Sequence, residues 1–141
     1  MKMHLLRISI LAVTAVLAAR GQTSYYRVTV PFEFGVNNQV LPAGQYSVGF
    51  NMASGLMSLA CVDHKGFAGL VGFPLPAPFV EHGKKLVFHR YTNTYFHTNT
   101  YFLTQVWADD AFRKELSMTK RERELAVRMS NPDTISIAAT R

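Results

Sequence analysis

"YYRVTVPFEF", residues Tyr25 to Phe34, alternates along most of its length. Val28, Val30, Phe32 and Phe34 fall on one side, and Arg27, Thr29, Pro31 and Glu33 on the other. A period of two, carried by β-branched and aromatic residues, is the pattern of a strand with one buried face. Pro31 has no N–H to give to a ladder and belongs at an edge or a bulge. The class of fold follows from this stretch, because the rest of the chain repeats its grammar.

Downstream, "NNQVLPAGQYSVGF" places Pro42-Ala43-Gly44 between two short apolar runs. Pro42 presets φ and Gly44 suits a left-handed turn position, so two antiparallel strands joined at Gly44 are expected. Leu56–Val62 and Phe67–Phe73 read as a second pair around a polar turn ending in Gly66. "FPLPAPF", with Pro74, Pro76 and Pro78, excludes helix and a central strand, and predicts an extended surface connection. "KKLVFHRY" and "YFLTQVW" predict a third hairpin. Thr119-Lys120-Arg121-Glu122 matches a capping box ahead of "KRERELAVRM", a helix with Leu125 and Met129 on one side and a Glu124/Arg128 pair beside them. Asn131-Pro132 ends the helix, and Thr134 to Ala138 predicts a last strand. The sum is a mainly β fold, a small antiparallel barrel or two-sheet sandwich with one short C-terminal helix.

Residues 1–21 have the layout of a signal peptide: a basic start (Lys2, Arg7), an apolar run from Ile8 to Ala19, then Arg20-Gly21. The run falls short of the roughly 20 residues that span a bilayer as a helix. Export to the periplasm or medium is therefore expected, with no membrane span after cleavage and one β-rich domain over residues 22–141. The formal charge of +6 shrinks once Lys2, Arg7 and Arg20 leave: twelve Lys and Arg then stand against nine Asp and Glu, a net of +3. That weak balance, with no basic stripe outside Lys114 to Arg128, argues against nucleic acid. The only cysteine, Cys61, cannot form an internal disulfide and reads as a small apolar core residue on a buried strand.

"TNTYFHTNTYFL", Thr92 to Leu103, writes nearly the same six letters twice within the third hairpin. An even insertion preserves strand facing, so the hairpin absorbs it as a duplication near its tip. Tyr95, Phe96, Tyr101 and Phe102 are the candidate binding residues, since contiguous exposed aromatics mark contact sites. His64, His82, His89 and His97 show no helical metal spacing, and Ser54-Gly55 lacks a nucleophile-elbow context. No catalytic residue, metal ligand or cofactor is assigned.

Taken in order, "VPFEFGVNNQVLPAGQYSV", "KLVFHRY", "YFLTQVW" and "ELSMTKRERELA" resemble a group of small exported bacterial β-rich proteins of unassigned function. The resemblance covers most of residues 22–141 and implies no catalytic residues; the extra hexamer is where this chain departs from it. The expected function is a non-catalytic exported or cell-envelope β domain that binds a partner or serves a structural role, its envelope or extracellular partner unidentified. The alternatives are a small β-barrel carrier of an apolar ligand and a hydrolase using His89 or His64 as base.

Overall fold

The computed structural model describes residues 23–51, 53–70, 72–76, 83–108 and 112–140. The expected leader, residues 1–21, lies outside the described residues, as do His82 and Asp109-Asp110. In chain order the strands are β1 (Thr23–Val30), β2 (Phe34–Val36), β3 (Gln39–Leu41), β4 (Gly44–Asn51), β5 (Met57–Cys61) and β6 (Phe67–Leu70). They continue as β7 (Gly72–Pro76), β8 (Lys85–Asn93), β9 (Thr98–Trp107) and β10 (Phe112–Leu116), then helix α1 (Lys120–Arg128) and β11 (Asp133–Ala138).

The strands form two sheets packed as a sandwich. One has the order β1-β4-β5-β6; the other runs β11-β8-β9-β10-β7, with the β2–β3 hairpin also on β9. Long β9 serves two neighbours along the same edge: its C-terminal half pairs antiparallel with β10, and Tyr101 and Phe102 pair parallel with Phe34 and Gly35 of β2. Among the described strands that parallel contact is the exception to antiparallel pairing. Val28, Val48, Leu59 and Leu70 from the first sheet meet Phe34, Leu86, Phe88 and Val106 from the second, and these side chains fill the space between the sheets. The inward-facing residues of β1 are those its alternation predicts.

Three expectations are corrected. Tyr25–Phe34 is two strands, because the chain leaves the first sheet at Pro31 and enters the second at Phe34. Pro42-Ala43-Gly44 is likewise a crossover: β3 pairs with β2, β4 pairs with β1, and the Tyr46 hydroxyl pins the crossing by donating to the Pro42 carbonyl. Gly44 opens β4 with φ 159°, outside the turn range; the left-handed turn residues are Asn37 (φ 48°) and Asn38 (φ 62°), which form a two-residue hairpin between β2 and β3. Within "FPLPAPF", Phe73 to Pro76 are strand, since β7 extends through Pro74 to Pro76 and pairs with β10, and Ala77 to Phe79 lie outside the described residues. Proline is tolerated there because β7 is an edge strand.

The sandwich is tied at its margins by polar side chains. The Tyr26 hydroxyl donates to Trp107 O at 2.8 Å, across the two sheets. Asn37 donates to Gly69 O and Gln39 to Phe67 O, so the β2–β3 hairpin closes over the outer strand β6. On the other side Thr140 donates to Arg27 O of β1 at 2.8 Å. Lys114, buried on β10, donates to Gly55 O (3.1 Å) and Leu70 O (3.4 Å), which offsets the cost of removing its charge from water.

Candidate functional site

The two copies of the repeated hexamer have opposite fates. Tyr91 pairs with Thr100, Thr92 with Asn99 and Asn93 with Thr98, leaving Thr94–His97 as a four-residue turn. Asn93 Oδ1 accepts from the backbone N–H of Tyr95 (3.0 Å) and of Phe96 (3.2 Å), and His97 closes the turn at φ 51°. An Asx turn of this kind satisfies the backbone through the Asn93 side chain and makes no use of the Tyr95 and Phe96 side chains. Tyr95 and Phe96 accordingly project from the tip, 91% and 77% exposed.

The second copy is strand, and its aromatics are packed. Tyr101 stacks on Phe32 with ring centroids 3.7 Å apart and planes 8° apart. Phe102 is only 2% exposed, lying edge-to-face with Tyr91 and directly over Gly35. The four candidates do not form one surface: Tyr95 and Phe96 remain available, and Tyr101 and Phe102 belong to the packing. Residues a repeat apart share a facing only if both copies are extended, and Thr94–His97 of the first copy is a turn.

A second constellation sits where α1 crosses the outer face of the larger sheet. His89 and Tyr91 lie two apart on β8 and so point the same way. Thr119 caps α1, accepting from Glu122 N at 3.2 Å, and this sets the carboxylate of Glu122 over that face. Glu122 Oε1 accepts from the Tyr91 hydroxyl (3.1 Å) and lies 2.8 Å from His89 Nδ1. Glu122 is 3% exposed. A buried carboxylate is tolerable because two sheet donors and the positive end of the helix face it. Burial, and then the charge of Glu122, push the Tyr91 phenol up to about 12, so it stays a donor under ordinary conditions.

His89, whose Nδ1 lies against the Glu122 carboxylate, also lines a cleft of about 500 Å³ with Thr104, Gln105, Glu115, Leu116, Ser117, Met118 and Glu122. A β-bulge between Val87 and Phe88 leaves Thr104 without a ladder partner, and its hydroxyl donates to Val87 O at 3.0 Å. That hydroxyl is therefore engaged by the backbone. His97 stands at the hairpin tip and His64 in the β5–β6 turn. Among the described residues no group of three or more His, Cys, Asp or Glu is placed to hold a metal ion.

The sequence points to Tyr95 and Phe96 but conceals the Glu122 cluster. Glu122 occupies the third helical position, where a capping box already accounts for a glutamate. His89 and Tyr91, two apart on β8 and so on one face, are the available signal that a polar partner covers that face. No protein-family model, curated protein or solved structure matches the chain.

Proposed function

We propose that this chain is an exported, non-catalytic β-sandwich that binds a cell-envelope partner through the tip of its β8–β9 hairpin. The observation that carries the reading is the exposure of Tyr95 and Phe96 on a turn whose backbone needs neither side chain. Adjacent large aromatics held in water on a hydrogen-bonded turn are favourable to bury against a partner and contribute little to the fold where they stand. Export rests on the arrangement of residues 1–21.

Co-sedimentation of the purified chain, residues 22–141, with washed envelope material tests the binding. The chain is expected in the pellet, and a Tyr95→Ser/Phe96→Ser variant in the supernatant; equal pelleting of the two would overturn the assignment of the tip. Intact-mass measurement of protein from the periplasm or medium tests export, the expected species beginning near Gln22.

A second reading, a hydrolase with His89 as base, draws on the His89–Glu122 pair beside the cleft. A carboxylate that orients a histidine is half of an acyl-transfer arrangement; the other half is a nucleophile within hydrogen-bond reach. Turnover of a chromogenic ester that His89→Gln abolishes would move the chain to this class. The apolar-carrier reading draws no comparable support, because side chains from both sheets occupy the space between them.

A further inference from the structure

We infer that the partner of the hairpin tip is the surface of an anionic phospholipid bilayer, with Tyr95 and Phe96 entering the interface and the cations of α1 facing the headgroups. This deepens the binding reading above and rests on it.

Charge complementarity is the first support. The exposed residues of α1 include Lys120, Arg121, Arg123 and Arg128 against one exposed acid, Glu124, which pairs with Lys120 at 3.9 Å. The other helix acid, Glu122, is turned into the protein. Arg121 and Arg128 are seven residues apart and thus share one flank of the helix, about 10 Å apart along its axis. That flank borders the hairpin at both ends: Arg121 lines a groove with Asn99 and Thr100, and Arg128 a concavity with Thr92 and Tyr95. Cations and aromatics are therefore neighbours. Val127 adds an apolar residue, 88% exposed, to the outer side of the same helix.

Shape and area are the second support. Two aromatic side chains offer about 300–500 Å² even if fully buried, whereas a stable protein interface buries roughly 800 Å² on each partner. A narrow convex tip suits a soft interface, where Tyr settles at headgroup level and Phe reaches the acyl boundary. Each cation held near an anionic leaflet adds about fivefold to binding, and salt screens that gain. Attachment would be peripheral, since among the described residues no helix is long and apolar enough to cross a membrane.

The test uses residues 22–141 with sonicated vesicles of phosphatidylcholine alone or mixed with phosphatidylglycerol. The chain is expected to sediment with the mixed vesicles and to be released as salt rises. Tyr95→Ser/Phe96→Ser and Arg121→Glu/Arg128→Glu should each weaken binding about tenfold or more, with far-ultraviolet circular dichroism and melting midpoint unchanged because all four side chains are exposed. A Phe96→Trp variant should shift its emission to the blue on mixed vesicles only. Absence of binding to mixed vesicles, equal binding to both compositions, or binding indifferent to the tip substitutions overturns the inference. Retention on envelope material without binding to lipid vesicles would overturn the lipid assignment and leave the binding-domain reading standing; failure in both assays would remove both.

Discussion

At Gly35 a hydrogen stands where any other residue would carry a carbon. An added Cβ would lie 2.7 Å from Cδ1 and 2.9 Å from Cε1 of Phe102, and that ring is held between Gly35 and Tyr91. Gly35→Ala should therefore cost about 1–3 kcal/mol through overpacking. Gly69→Ala, with nothing within 4 Å of the new carbon, should be nearly neutral. A denaturant melt of the two variants decides it; equal midpoints would mean that the Phe102 ring moves freely. The same scale explains Glu122. Truncation to alanine leaves the donors of Tyr91 and His89 facing each other without an acceptor, a loss of about 2–3 kcal/mol. Glu124→Ala, two residues along and exposed, should change stability by less than about 0.5 kcal/mol. The sequence shows both as helix-forming glutamates, and only the third dimension separates them. The ion pair expected between Glu124 and Arg128 is likewise replaced by Lys120–Glu124, since α1 turns the Arg128 flank toward the hairpin.

At the scale of the element, what is local was legible. Alternation located β1, the capping box placed α1, and Asn131-Pro132 separated it from β11, because these signals depend on residues within a few positions of one another. Partner choice was not legible. Pro31 reads locally as an edge or a bulge and Pro42 as a turn, but each marks a passage from one sheet to the other, which depends on strands elsewhere in the chain. The repeated hexamer offers a test of how far local pattern carries. Removing Thr92 to His97 joins Tyr91 to Thr98 and leaves Thr98-Asn99 as the whole connection between Tyr91 and its partner Thr100. The register of Arg90 with Tyr101 and of His89 with Phe102 is preserved. Two-residue hairpins favour left-handed turn conformations, which Asn tolerates and β-branched Thr resists. The deletion should remain folded with a loss of about 1–2 kcal/mol, regained when Thr98-Asn99 is changed to Asn-Gly. A loss above about 3 kcal/mol that Asn-Gly does not restore would show that the first copy supports the core. The deletion also removes Tyr95 and Phe96, so it should abolish envelope binding.

Around its apolar interior the whole molecule is tied by three phenols. Tyr26 reaches from the first sheet to Trp107 O of the second, Tyr46 pins the crossover at Pro42, and Tyr91 fastens the larger sheet to α1 through Glu122. Each is a donor and each acts only while protonated. Burial raises the pKa of all three; the charge of Glu122 adds to the effect at Tyr91, and Cys61 adds to it at Tyr46. In the unfolded chain these phenols release their protons near the ordinary value of about 10. The folded chain therefore binds more protons than the unfolded one above that pH, and stability must fall as pH rises. The tyrosine contribution is fully present below about pH 10, and the share of Tyr91 is lost between about 10 and 12. Each phenol contributes a slope of about 1.4 kcal/mol per pH unit within its window. Urea midpoints measured from neutral pH upward should stay level and then drop steeply. Tyr91→Phe should remove about a third of that drop, one phenol's slope in three, at the expense of one hydrogen bond to Glu122 at every pH. A profile that declines steadily from neutrality, or one that Tyr91→Phe leaves equally steep, would place the alkaline weakness in other groups and reduce these three ties to incidental contacts.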